Sequence, residues 1–352
     1  MYSDKNDREM LSPELLGEVG MTVWKKALER SRDIYKLKPW EVLLSDDIFA
    51  IDMNLKGTEE AITSFMGQSS GEHSIQFFIG DWGKWGLAYL FQNEAVLSAR
   101  LVGRILSRIN SMRIDYMRRD DVPDDYARLT SALGLHFRGN YPVITVFEPT
   151  KEPSLPSIED LEQILFMLDQ VHDVIRDLRA RKIQLTMDDH RILKRYWSKK
   201  DCRWLYKFTS LEGGLYIPQP EALDELTAHR LKRLPAYDGR DINVDLLRIN
   251  ALVRDEDGSP RNYYMFVGAD GDSGYMLHHK LWRADQDEME AWRSFLTEIL
   301  DTFGRPEVFI FDDEIAYAGM EPFLNTLDLK HELVEQNPLF DFLFDDFESR
   351  FV

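Results

Sequence analysis

The sequence has a single cysteine, Cys202, among 352 residues, so it can close no disulfide within the chain and assemble no cysteine zinc cluster. A reducing, cytosolic compartment is the expectation that follows. The chain also lacks any apolar run long enough to cross a bilayer, and Met1 to Met10 shows no basic start leading into an apolar core, so neither a membrane span nor a signal peptide is expected. Positive charge is scarce. Lys and Arg number 43 against 62 Asp and Glu, a net charge of −19, and a surface of that sign repels phosphate backbones. A nucleic-acid partner is therefore not expected, whereas a protein partner stays open. There is no glycine-rich phosphate loop, no serine elbow, no internal repeat and no low-complexity tract. What is present is 44% hydrophobic and 12% aromatic residues in a chain long enough for two separate cores.

From Leu11 to Tyr35 apolar residues recur at helical spacing behind Ser12-Pro13-Glu14, and Lys38-Pro39-Trp40 closes that helix. Asp47 to Met53, Ala61 to Gly67 and Glu72 to Gly80 are short stretches separated by turn residues, which predicts an antiparallel meander. Asp81-Trp82-Gly83-Lys84-Trp85-Gly86 reads as packing at a strand-to-helix corner. Leu87 to Arg119 predicts two helices broken near Asn93, with Arg100, Arg104 and Arg108 on one face as the chain's basic stripe. Leu133 to Phe137 and Val143 to Phe147 read as strands. Together these make an N-terminal α+β domain over residues 1–150. The proline-dense Glu148 to Pro156 then starts a linker and helical connector, 151–233. Ser157 and Asp160 form an acidic capping box for a strong helix in it, and Trp204 to Ser210 is its one expected strand.

The last domain, 234–352, shows strands at Val244 to Val253, Asn262 to Val267 and Tyr275 to Leu281, a helix at Asp285 to Phe303, a strand at Glu307 to Phe311 and a short helix at Glu321 to Leu327. That order is the outline of a ribonuclease H-like core. The expected fold class is thus α+β: an N-terminal antiparallel meander with helices, a helical connector and a C-terminal ribonuclease H-like α/β domain. Asp312-Asp313-Glu314 lies where the apolar run Val308 to Phe311 ends, a position at which α/β proteins often hold their sites. Asp270-Gly271-Asp272-Ser273-Gly274 has the chemistry of a turn, and Asp188-Asp189-His190 that of a loop or helix cap. His278 and His279 are adjacent and so point to opposite faces of a strand. Cys202 sits among Lys199, Lys200 and Arg203 but has no evident histidine partner to make it a nucleophile. In the tail, Phe340, Phe344, Phe347 and Phe351 are spaced four, three and four apart, and the stripe is expected to dock on its own domain.

Two resemblances follow from short motifs. Pro39-Trp40-Glu41, Asp46-Asp47-Ile48-Phe49, Phe65-Met66-Gly67, Gly71-Glu72, Ile79-Gly80, the Phe137 to Pro142 turn and the Ser157 helix together resemble a family of uncharacterised bacterial cytosolic proteins, which implies no known activity. Gly304-Arg305-Pro306-Glu307-Val308 before Asp312-Asp313, then Phe323 and Leu327 to His331, resembles the segment around the second catalytic aspartate in the core of transposases and retroviral-type integrases. That resemblance implies clustered carboxylates holding Mg or Mn ions about a phosphate. Asp312 would be the second ligand and metal-bearing residue, and the third would come from Asp345, Asp346 or Glu348. Asp245 would be the first, although it falls at the start of the expected strand, whose inner positions are Leu246, Leu247, Arg248, Ile249 and Asn250.

The leading expectation is a non-catalytic binding or interaction protein of the bacterial cytosol that needs no cofactor. The alternative is a nuclease or phosphodiesterase dependent on Mg or Mn, using Asp245, Asp312 and Asp345 or Glu348.

Overall fold

A computed structural model describes residues 17–44, 47–53, 60–67, 71–93, 99–106, 108–148, 153–185, 191–211, 220–254, 260–283, 286–335 and 337–340. The chain divides into two compact units. The first draws on Met1–Leu97, Arg108–Glu148 and Pro153–Gly214, and the second on Ser98–Ser107, Pro149–Glu152 and Leu215–Val352. Residues expected to form one connector are therefore shared out between the units.

In the first unit, helix α1 (Glu18–Lys36) precedes strands β1 (Phe49–Asp52), β2 (Glu60–Met66) and β3 (Ser74–Ile79), which form the expected antiparallel meander. Helix α2 (Gly80–Asn93) begins on the tryptophan–glycine segment, where a Cβ at Gly83 would sit 2.7 Å from the Phe78 carbonyl carbon. Only glycine lets the helix approach the strand so closely. Helix α3 (Ala99–Leu106) groups with the second unit and ends before Arg108, so the expected three-arginine stripe does not share one helix.

Two expectations fail next to it. Asn110–Met117 is a strand, β4, not the end of a helix, because Met112, Ile114 and Tyr116 alternate with Arg113 and Asp115 at period two. Leu133 to Phe137 is no strand. Helix α4 (Asp124–Ala132) ends there, and Gly134 with φ of 65° turns the chain while Leu133, Leu135 and Phe137 are buried. Strand β5 (Tyr141–Phe147) stands as expected, and helix α5 (Ile158–Arg179) carries the expected capping box, Ser157 Oγ accepting from the Asp160 amide. A hairpin of β6 (Arg191–Ser198) and β7 (Arg203–Ser210) then completes a seven-stranded sheet, order β5-β4-β3-β2-β1-β6-β7, with β6 parallel to β1. Helices α1 and α5 cover its apolar face.

The second unit adds helix α6 (Glu225–Lys232), strands β8 (Asp241–Arg254), β9 (Pro260–Asp270) and β10 (Met276–Arg283), helix α7 (Glu288–Phe303), strand β11 (Val308–Phe311), helix α8 (Glu314–Thr326) and strand β12 (Lys330–Leu333). The sheet order is β10-β9-β8-β11-β12, with β9 alone antiparallel to the rest. This is a mixed ribonuclease H-like sheet, and the whole chain is α+β. β12 is too short and too exposed to show in the sequence pattern. Gly304, with φ of 96°, ends α7, and a Cβ there would meet the Pro235 carbonyl oxygen at 2.6 Å. Arg305 beside it donates to the carbonyls of Leu231, Leu327 and Asp328, so its guanidinium closes the C-terminal ends of α6 and α8. Among the described residues no helix is long and apolar enough to cross a membrane.

Candidate functional site

Two places in the fold concentrate polar groups. The first is the carboxylate set foreseen at the edge of β11. Asp245 is not at a strand start, as the sequence suggested, but the fifth residue of the long strand β8, fully buried with 0% exposure. The expectation erred because β8 begins at Asp241, where polar residues alternate with Ile242 and Val244 and hide the strand's entry. β8 and β11 run parallel with Phe311 opposite Val244, and Asp312 and Asp245 are the residues that follow this last pair in each chain segment. Asp313 has another role: its Oδ1 accepts from the Ala316 amide at 2.9 Å and caps α8.

The sheet face bearing Asp245 also bears Leu247, Met265, Val267 and Ala269, and Phe340 packs into that cluster with no exposed surface. Asn337 donates to Asn243 Oδ1 at 2.7 Å on the same face. The start of the tail thus lies over the carboxylate, and the first phenylalanine of the expected stripe docks on its own domain. Asp345, Asp346 and Glu348 lie outside the described residues, as do the rest of the stripe and Asp188-Asp189-His190. Among the described residues no group of three His, Cys, Asp or Glu side chains is arranged to hold a metal ion.

The remaining candidates resolve into structure. Asp270 accepts from the Ser273 amide and hydroxyl and from Tyr237 Oη, which makes it a turn clamp. His278 stacks on Phe295 and meets Glu298, while His279 is exposed, so the two do part to opposite faces. Cys202 is exposed in the β6–β7 turn.

The second place was not foreseen. At one end of the first unit's sheet, a cleft of 740 Å³ is lined by the edges of β2, β3 and β4, including Met66, His73, Arg113, Asp115 and Tyr116, with Glu72, Arg118, Asp121 and Asn140 at its walls. Arg113 Nε donates to Asp115 Oδ2 at 2.8 Å, and its guanidinium also lies over the Phe147 ring at 4.8 Å. Burial pushes the Asp115 carboxyl above its ordinary value of 3.8; Glu72 adds to the rise, and Arg113 opposes it without cancelling it. His73 stacks flat on Trp40, with centroids 3.9 Å apart and planes 11° from parallel. Burial holds its ring below the ordinary 6.5 against a hydrogen bond to the Gly67 carbonyl, so the imidazole is neutral at physiological pH.

Tyr35 touches Trp40, His73 and Tyr116, and its hydroxyl accepts from Asn140 Nδ2 at 3.2 Å. Tyr116 Oη donates to the Ser31 carbonyl at 2.9 Å, which ties the aromatic wall to α1. Gly67, with φ of 108°, folds the β2–β3 turn so tightly that a Cβ would lie 2.2 Å from the Glu72 carbonyl oxygen. The cleft thus combines a rigid aromatic wall, a guanidinium–carboxylate pair and a neutral imidazole. The signal that could have found it is the alternation across Asn110–Met117, which points Arg113 and Asp115 away from the core.

Comparison with known proteins adds two matches by family. Residues 24–195, which include the cleft's lining, match a domain of unknown function (DUF7309), and residues 227–348, which include Asp245 and Asp312, match a second domain of unknown function (DUF6930). No curated protein matches the sequence. Among solved structures the chain is similar to the HTLV-2 integrase catalytic core domain in complex with magnesium, at 14% identity over 28% of this chain and 61% of that one, with a TM-score of 0.22. It is also similar to the simian T-cell lymphotropic virus intasome in complex with PP2A regulatory subunit B56 gamma, at 18% identity over 30% and 37%, with a TM-score of 0.23. The chain spans less than two thirds of either. Likenesses of that size carry no argument, and the ribonuclease H-like description of the second unit rests on its own strand order.

Proposed function

We propose that this chain is a non-catalytic binding protein of the bacterial cytosol, with the cleft of the first unit as its ligand site. One observation carries the reading. Met66, Gly71-Glu72 and Asn140 belong to motifs far apart in the sequence, among those on which the family resemblance rests, and they line this one cleft, while Trp40 of another such motif stacks on the lining residue His73. Groups with shifted protonation, one on β4 and one just before β3, beside stacked aromatic rings, are the arrangement expected of a small-molecule site. A guanidinium–carboxylate pair beside an aromatic wall suits the holding of a polar ligand. The exposed, unpaired Cys202 fits a reducing compartment.

The test is ligand-observed NMR of the full chain against a panel of small polar metabolites. At least one chemical class should bind the wild type and lose most of its affinity in His73→Gln and in Asp115→Asn. If every bound class binds both variants unchanged, the cleft is not the site.

A second reading is supported by one specific observation: the parallel pairing of β11 with β8 ends one residue before Asp312 and Asp245. Two carboxylates at that end would supply part of a divalent-metal donor set. In a nuclease or phosphodiesterase, Asp245 and Asp312 would hold a Mg or Mn ion, which would activate water and polarise a phosphate. The reading ranks second because the Asp245 side chain is buried on the face that Phe340 covers.

A further inference from the structure

The first unit's sheet ends in a hairpin whose charge is opposite to that of the chain. Of the twenty residues from Arg191 to Ser210, seven are Lys or Arg and one, Asp201, is acidic, in a protein of net charge −19. Two of the cations are neutralised locally, Lys194 by Glu60 and Arg195, which is buried, by Asp173, while Asp201 accepts from the Ser198 hydroxyl within the turn. The other five cations, on Arg191, Lys199, Lys200, Arg203 and Lys207, are exposed, and among the described residues none has a carboxylate within ion-pairing distance.

The outer strand β7 sorts this charge by face. Arg203 and Lys207 point to one side of the sheet, while Trp204, Tyr206 and Phe208 point to the other, where Phe208 is 46% exposed. Among the described residues no strand lies beyond β7, and none pairs with the backbone groups of its outer edge. Lysines commonly protect such an edge from aggregation, but that purpose does not require a single sign of charge and is defeated by an exposed phenylalanine. Lys207 stands directly opposite Lys194, whose charge Glu60 takes up, and its ammonium lies 5.0 Å from the centre of the Tyr196 ring. The edge is rigid. Arg195 donates to Gln170, Tyr206 and Asp173 and so locks the hairpin to α5, which means little ordering is left to oppose association.

We propose that β7 is a docking edge for an extended segment of a partner protein in which acidic and apolar residues alternate. The segment adds an eighth strand: its backbone pairs with the free edge, its carboxylates face Arg203 and Lys207, and its apolar side chains lie against Tyr206 and Phe208. Charge complementarity fixes its sign, and the period of two in β7 fixes its pattern. This inference does not depend on the cleft.

The test uses fluorescence anisotropy of the full chain with a labelled ten-residue peptide alternating Glu and Val. The peptide should bind, and the paired substitution Arg203→Glu with Lys207→Glu should weaken it by about tenfold or more. Lys199→Glu with Lys200→Glu, in the turn and off the strand, should weaken it by less than about threefold. Peptides N-methylated at alternate residues, made in both phases, remove the backbone donors, and one phase should bind about tenfold more weakly. All substituted positions are exposed, so circular dichroism and the unfolding midpoint should match the wild type. The proposal is overturned if no binding occurs up to about 1 mM, or if the strand reversal has no larger effect than the turn reversal. It is equally overturned if both methylated peptides, or an oligothymidine of matched charge, bind as well as the parent peptide, which would make the hairpin a general polyanion surface.

Discussion

The two sheets of this protein treat charged groups in opposite ways. In the second unit, Asp245 lies in the middle of a strand beneath Phe340, inside an apolar cluster of Leu247, Met265 and Val267. In the first, Arg113 and Asp115 stand on the face of β4 that turns away from the core and reach a cleft. In the second sheet, backbone pairing alone carries β11 and β8 to Phe311 opposite Val244, the last pair before Asp312 and Asp245, whatever later covers that end. The cleft needed more: a glycine forced into a positive φ at Gly67, a stacked Trp40 and a strand that alternates polar and apolar residues. Register is inherited with a fold, whereas access and a polar lining must be built into each chain.

The largest effect should come from the anchor of the first sheet. Arg195 is 5% exposed and serves Gln170, Asp173 and Tyr206 at once, and its guanidinium lies over the Trp204 ring. Arg195→Ala leaves the buried Gln170 Oε1 and the Tyr206 hydroxyl without their donor and should cost about 3 kcal/mol, little of it from Asp173, which is about half exposed. Hydrogen exchange resolved by mass spectrometry should show the loss in β6, β7 and α5 while the second unit keeps its protection. Loss spread equally over both units would break the comparison. Phe340→Ala should cost about 3 kcal/mol in the second unit, because it leaves a cavity over Met265 and Val267. Urea unfolding measures it, and an unchanged midpoint would mean that the tail does not cover the carboxylate face.

Much of this was legible in the sequence, for identifiable reasons. The meander, the Ser157 cap and the first four strands of the second sheet announce themselves through turn residues, a capping box and apolar runs. β4 did not, because arginines on both sides of it blur into a helical pattern. β7 is legible as a strand over Trp204 to Ser210, but its partner β6 is not, because its basic residues give a polar average that hides the pairing of Leu193 and Ile192 with the sheet. The cleft was out of reach for the same reason, since two of its central residues, Arg113 and Asp115, belong to the strand that was misread. The entry of Asp245 into β8 depended on pairing with β11, a contact between residues far apart in the chain.

The smallest effect concerns pH. Burial raises Asp115, so the folded state favours its protonated form; that contribution is complete below the ordinary 3.8 and is lost as pH rises through the raised value. Burial lowers His73, so the folded state favours the neutral ring; that contribution is complete above 6.5 and is lost as pH falls through the lowered value. Asp115→Asn should flatten the stability profile just above pH 3.8, and His73→Gln the profile just below pH 6.5, both followed by urea midpoints across pH. Profiles parallel to the wild type would mean that neither group is held in the stated form.

The most direct test of the binding account is thermal unfolding of the wild type, Asp115→Asn and Asp312→Asn, each with the cleft's ligand class and, separately, with Mn²⁺. At about a hundredfold its dissociation constant, a ligand adds roughly 2.7 kcal/mol to the native state. The account predicts that the small-molecule shift is present in the wild type and in Asp312→Asn and absent in Asp115→Asn. A shift produced by Mn²⁺ and abolished by Asp312→Asn, with no small-molecule shift that depends on Asp115, would contradict it and place the working site on the second sheet.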